Sequence, residues 1–223
     1  MDWTRNMLVR KNGMALTGLF LCFFLVVHLL GNLQLLLPET QARARYNWYS
    51  HLLAGNWLIE IIALALYASI LLHLVDGIYL AIKSKRAAGS PYSCDRRKRA
   101  STWYSRNMML LGLIIFAFLV IHFKDFWYRY KFGDLPVDEN GYRDLYGLVV
   151  AAFGELWYVA LYIIALIALG YHLLHGVFSA HRTLGLYHPV YTRAVKVAGA
   201  LFAIGIALGF AIIPIFIYVK QHA

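Results

Sequence analysis

Apolar residues in this chain of 223 residues run together in five blocks, at 13–37, 57–82, 107–126, 156–180 and 195–219. Each reaches the roughly 20 residues that carry a helix across a bilayer at 1.5 Å rise per residue. The connections between blocks are short and leave no room for a second domain. The pattern predicts an all-α, polytopic membrane protein: one transmembrane domain over residues 1–223 with five spanning helices. The first block resembles a secretion leader, because Arg5, Arg10 and Lys11 precede it and Ala42-Arg43-Ala44 follows it. Its length exceeds the 7–15 apolar residues of a leader, so it is expected to be a retained helix.

Composition agrees with the pattern. Hydrophobic residues make up 61% and charged residues 14%, with mean hydropathy +0.60, whereas soluble domains carry about 25% charged residues. The net charge of +10 raises the question of nucleic acid, and the placement of the charge answers it. Of the 21 Lys and Arg residues, 14 precede the first block, lie in the second connection (83–106), or lie between blocks four and five when Lys196, at the very start of block five, is counted with that connection. The positive-inside rule then places the N-terminus in the cytoplasm and the C-terminus outside, in a cytoplasmic membrane, with no nucleic-acid partner. The run Arg96-Arg97-Lys98-Arg99 serves as a topology determinant and lipid-headgroup anchor, or as a docking surface for a cytoplasmic partner. Trp48, Tyr49, Trp57, Trp127, Tyr128 and Trp157 fall near block ends and fit an interfacial belt. Cys22 and Cys94 are the two cysteines, and they form neither a disulfide framework nor a thiolate metal site.

An internal repeat organises the histidines. Shifted by 94 positions, residues 14–28 lie on 108–122 with eight of fifteen identities, Gly18 on Gly112 and His28 on His122. Shifted by 99, residues 55–83 place His73 on His172 and Gly77 on Gly176, so that HLVDGIYLA lies on HLLHGVFSA. The chain thus reads as a duplicated two-helix unit with the fifth helix added outside it. With alternating helix directions, His28 and His122 share one depth and His73 and His172 another. The pairs fall roughly 10 Å apart along the membrane normal.

Histidine inside a span is costly, faces the bundle interior and marks function. The plainer use is an interhelical hydrogen bond. Four in paired register, one per helix, point instead to cofactor ligation. Neutral imidazole is a metal ligand. Zinc or a di-iron centre needs further ligands, carboxylates above all for di-iron, and the spans offer only Glu60 and Asp76. Haem needs two axial nitrogens and an apolar slot, with Gly18, Gly112, Gly77 and Gly176 leaving room for the ring. Two bis-histidine haems within four of the helices would transfer electrons across the membrane.

FFLVVHLLGN (23–32), HLVDGIYLA (73–81) and HLLHGVFSAHRTLG (172–185) resemble the dihaem cytochrome b subunit, the b558 family, of succinate dehydrogenases and fumarate reductases. The resemblance covers the first four helices and the overall length. His181-Arg182 departs from it where a glutamine is expected, touching neither ligand nearby. The resemblance implies two haem b, with His28 and His122 on the outer iron and His73 and His172 on the inner one. It further implies a flavoprotein subunit and an iron–sulfur subunit on the cytoplasmic face, and electron transfer to or from menaquinone. Succinate:quinone oxidoreductase activity would then belong to the complex, with the dicarboxylate site on another subunit. Lys83 and Arg182, ten residues beyond the inner ligands, are propionate candidates, although snorkelling explains them equally. Glu60, His51 and Asn32 fall near the outer haem and are quinone candidates. His175, His181, His188 and His222 are expected not to be ligands. Two other readings stand beside this one. One is the dihaem subunit of another respiratory complex, such as nitrate reductase, where the ligands concentrate on two helices. The other is a haem-free anchor or transporter that relays protons through histidine.

Overall fold

The computed structural model describes residues 7–87 and 101–223, so Arg5, Cys94 and the Arg96–Arg99 run lie outside the described residues. The elements are α1 (Met7–Asn32), continued by a tight turn at Leu33–Leu36, then α2 (Glu39–Ala54) and α3 (Trp57–Ala87). After 88–100 come α4 (Trp103–Arg106) and α5 (Met108–His122). A wide π-type segment (Phe123–Tyr128) and α6 (Arg129–Phe132) extend α5. The chain ends with α7 (Leu145–Phe153), α8 (Leu156–Thr183) and α9 (Pro189–His222). The one β pairing among described residues is a bridge between Val137 and Arg143. Five helices are long and apolar enough to cross a membrane, Met7–Leu36, Trp57–Ala87, Met108–Phe132, Leu156–Thr183 and Pro189–His222. This is a multi-pass membrane protein.

Four of the spans form a bundle. α1 packs on α3 and α8, α5 packs on α8, and α3 meets α5 more lightly. α9 packs along α8 and touches α1 from outside the four. A Cβ at Gly209 would lie 2.7 Å from Leu29 Cδ2, so the glycine lets α9 lie close to α1. Most of the bundle's outer surface is apolar: Phe23, Leu64, Ile164 and Leu208 are all more than 60% exposed. Such a surface is stable only against lipid or another apolar face. α8 is the most enclosed span, with Tyr158, Val159, Tyr162, Ala165, Leu166 and Ala168 buried along it.

The connections hold more structure than the apolar pattern predicts. α2 and α7 fill the first and third connections and pack on each other. Asn47 of α2 is fully buried. Its amide nitrogen donates to Asp138 Oδ2 at 3.0 Å and Asp144 Oδ1 at 2.9 Å, and its oxygen accepts from the Tyr146 N–H at 2.9 Å. Asp144 also caps α7 by accepting from the Gly147 N–H at 3.0 Å and pairs with Arg43. Each buried polar group in this knot has partners, which is the condition for placing them there.

Candidate cofactor site

The four bundle helices, with α2, α7 and α9 contributing at the edges, surround a partly open cavity of about 1690 Å³, and His28, His73, His122 and His172 all line it. A pocket for one drug-sized ligand spans about 300–1,000 Å³, so this space suits two large groups better than one. The structure brings His28 of α1 against His122 of α5, with ring centroids 5.8 Å apart at 86°. It brings His73 of α3 against His172 of α8, with centroids 6.0 Å apart at 61°. A metal about 2.0 Å from one nitrogen of each imidazole, with roughly 1.1 Å more to each ring centre, sets centroids roughly 6 Å apart. Edge-to-face aromatic contacts also fall in this range, so the spacing is compatible with both uses. No three His, Cys, Asp or Glu side chains converge on a metal among the described residues. Each pair could therefore offer a metal two protein ligands and, among the described residues, no third.

The glycines fit a flat group between the rings. A Cβ at Gly77 or Gly176 would meet nothing within 4 Å, and both residues line the cavity. A Cβ at Gly18 would lie 3.1 Å from His73 Cε1, and one at Gly112 3.7 Å from His172 Cε1. The relation of α1 to α3 thus recurs between α5 and α8, as a duplicated unit requires. Gly18 also fixes depth. His73 sits at the level of residue 18, ten residues below His28, which is about 15 Å of helix. The spacing exceeds the roughly 10 Å read from the sequence. That figure assumed blocks one and two share a level at Leu37 and Trp57, and α2 separates those residues.

Three of the four rings have Nδ1 engaged by the protein. His73 Nδ1 lies 3.2 Å from the Met14 carbonyl and 3.3 Å from Thr17 Oγ1. His122 Nδ1 lies 3.0 Å from the Tyr162 hydroxyl. His28 Nδ1 lies 3.4 Å from Asn32 Nδ2, which donates more closely to the His28 carbonyl at 2.8 Å. His172 Nδ1 is buried without a partner among the described residues. A backbone carbonyl accepts only, so His73 carries its proton on Nδ1 and presents Nε2 as a lone pair, the form that ligates metal.

The other sequence-predicted residues separate. Asn32 lines the cavity and accepts from the Tyr46 hydroxyl at 3.0 Å. Burial, with Tyr49 alongside, pushes the Tyr46 hydroxyl above the ordinary phenol range, so it remains a donor. Glu60 lines the cavity and pairs with Lys131 at 2.6 Å. His51 does not line it and rests against the Tyr142 ring, centroids 4.8 Å apart. Lys83 lines an adjoining pocket of about 510 Å³, while Arg182 lies over Phe178 and Tyr187. His175 lines the cavity beside Tyr104. His188 caps α9, and His222 stacks on Tyr218.

The structure adds residues that span periodicity does not reveal. Lys11, Lys85, Arg106 and Lys131 are the cations lining the cavity. Asp76, three residues past His73, pairs with Arg10, which also lies 4.2 Å over the Tyr79 ring. The basic clusters flanking the spans held these cations in plain view. Which of them turn inward depends on helix rotation. No family model, no curated protein and no solved structure matches this chain.

Proposed function

We propose that this chain is the dihaem cytochrome b membrane anchor of a succinate:quinone oxidoreductase, carrying electrons between an iron–sulfur subunit and menaquinone. The observation that carries the reading is the two opposed imidazole pairs, spaced for a metal between them, within one cavity large enough for two macrocycles. The likeness of 23–32, 73–81 and 172–185 to the b558 family supports the choice of complex. Haem held there by His28 with His122 and by His73 with His172 would supply one-electron transfer chemistry.

The residues divide the work. His28 and His122 hold the outer group, and His73 and His172 the inner one. The glycines on each helix admit the flat rings, and apolar walls exclude water. Lys11, Lys85 and Arg106, with Lys83 alongside, offer cations to inner propionates; Arg182 is turned to aromatic rings and is the weaker partner. Glu60, beside Lys131, is the group placed to exchange protons with a quinone, with Asn32 on the same cavity wall and His51 outside it. The N-terminus faces the cytoplasm, where the flavoprotein and iron–sulfur subunits dock near 83–106 and 183–195.

Purified protein should give two b haems per chain in a pyridine haemochrome assay, and the co-purified complex should oxidise succinate or reduce fumarate. One haem or none would sink the dihaem reading. Two haems without either activity would leave a cytochrome of another complex. Glu60→Gln should cut quinone turnover severalfold while both haem spectra and soluble-dye activity stay unchanged. Unaltered quinone turnover would remove Glu60 from the site.

A further inference from the structure

Tyr49 falls where an interfacial belt residue would, and its neighbour Trp48 is 50% exposed. Tyr49 instead turns inward. α2 gives one helical face to the cavity, Tyr46, Tyr49, Ser50, Leu53 and Ala54, the i, i+3, i+4, i+7 pattern of a single stripe. On that face the Tyr46 hydroxyl donates to Asn32 Oδ1 at 3.0 Å, and the Ser50 hydroxyl donates to the Tyr46 carbonyl at 2.8 Å. The Tyr49 hydroxyl has no hydrogen-bond partner among the described residues.

Gly31 makes the place for this ring. A Cβ there would lie 2.7 Å from Tyr49 Cε1 and 3.2 Å from the phenol oxygen, so a larger residue would push the ring aside. Gly31 is buried on α1, three residues past His28, which is about 4.5 Å along the axis. Glu60 reaches the same level from α3. Gly18 is level with His73. Thirteen residues lead from Gly18 to Gly31 on α1, and thirteen lead back from His73 to Glu60 on the antiparallel α3. Tyr49 and Glu60 thus line the cavity at one depth, a turn beyond the outer histidine pair.

A hydroxyl held in a mostly apolar cavity without a partner is costly, and a bound acceptor removes the cost. An anionic acceptor, such as a haem propionate, would meet the Glu60 carboxylate at this level. A neutral carbonyl would not. A phenol both donates and accepts, so it can hold a quinone carbonyl and equally the quinol that two electrons and two protons make of it. A neutral donor and a carboxyl at one depth suit a flat ring that carries an oxygen at each end. We propose that the Tyr49 hydroxyl binds one oxygen of the quinone while Glu60 exchanges the proton at the other. Tyr49 keeps its own proton throughout, and Gly31 is the positioning residue that admits it. The proposal rests on the quinone role given to Glu60 above.

The test uses the purified complex, reduced by succinate, with a short-chain soluble naphthoquinone as acceptor. Tyr49→Phe removes the oxygen alone. The KM for the naphthoquinone should rise about three- to tenfold at unchanged kcat, with soluble-dye activity and both haem spectra as in wild type. Binding of the same naphthoquinone, read by quenching of tryptophan fluorescence, should weaken by the same factor. Gly31→Ala should raise KM too, and it should add nothing further when combined with Tyr49→Phe. Should Tyr49→Phe fail to assemble, Gly31→Ala decides alone. An unchanged KM would overturn the proposal, as would a shifted haem potential at unchanged KM, the mark of a propionate partner. Lost quinone turnover in Glu60→Gln with none lost in Tyr49→Phe would overturn it and leave the quinone role of Glu60 standing. No effect in either variant would remove that role as well.

Discussion

The two histidine pairs occupy matching positions of the internal repeat and keep nearly the same ring spacing, 5.8 and 6.0 Å, but their surroundings differ. His28 and His122 sit among rings: Phe24 stacks on His28 at 5.2 Å, Phe210 lies at 5.6 Å, and Phe118 and Phe126 flank His122. Side chains finish their bonding, through Tyr46 and Asn32 on one side and Tyr162 on the other. His73 and His172 have a backbone carbonyl, a threonine and two glycines close by, with the Arg10–Asp76 pair one turn beyond His73. A repeated scaffold can thus preserve an opposed pair of imidazoles while varying what surrounds it. Bonds beyond the ligand and nearby charge set potential more freely than they alter ligation.

The sharpest way to break the comparison is to remove one ligand. His172 and His175 both line the cavity, and only His172 opposes His73. His175 stands beside Tyr104, and the repeat aligns it with Asp76, which has no equivalent nitrogen. His172→Ala should lose one of two haems, and His175→Ala should keep both. A haem assay with the opposite result would overturn both the assignment and the use of the repeat to make it.

How the pairs differ as electron carriers comes next. The inner pair lies at the end of the bundle where Lys11, Lys85 and Arg106 line the cavity, and positive charge favours the reduced state. Asp76 nearby is neutralised by Arg10. Two resolved steps are expected in a redox titration, the higher belonging to the His73–His172 haem. Assigning the higher step to the outer pair, through ligand variants, would reverse the argument.

The sequence makes this comparison partly legible. Spans show because roughly 20 apolar residues in a row have few other uses, and each observed span matches its predicted block to within one residue at its shorter side and extends beyond it at one or both ends. Opposed rings are legible because duplication places like residues at like depth. α2 was missed because ETQARARYNWYSHLLA is polar, and α7 because nine residues cannot span. Yet Pro38 followed by Glu39, and Asp144 ahead of an apolar run, are ordinary helix-start signals. Tyr162 against His122, and Arg10 against Asp76, depend on how helices rotate about their axes. Span-level hydropathy carries no such information.

A smaller effect concerns the cap that covers the His28–His122 end. Asn47→Ala removes three hydrogen bonds from a fully buried site and leaves a backbone N–H and carboxylate oxygens without that partner. An unsatisfied buried group costs about 1–3 kcal/mol, so thermal stability should fall by about that much. The outer haem spectrum should broaden before the inner one changes. A variant as stable as wild type would mean that α2 and α7 do not brace this end.

The smallest expected effect is one of pH on the same cap. Burial works against the Asp138 charge, but hydrogen bonds from Asn47 and from the Tyr142 and Asn140 N–H groups, with Arg43 nearby, hold its carboxyl below the usual carboxylate range. A carboxyl depressed in the folded state contributes stability that is present above its unfolded value, about 4, and is lost as pH falls through the folded value. The cap should therefore keep its full contribution from neutral pH down to about 4 and weaken below that. Asp138 is partly solvated, which limits the effect to a fraction of the Asn47→Ala loss. Hydrogen exchange of α2 and α7 amides, followed from pH 6 downward and corrected for intrinsic rates, should show protection falling in wild type. Asp138→Asn, which cannot titrate, should begin with less protection and lose less of it as pH falls. Equal pH dependence in the two proteins would show that acid acts on the cap through another group, with Asp144 and its partner Arg43 the next pair to vary.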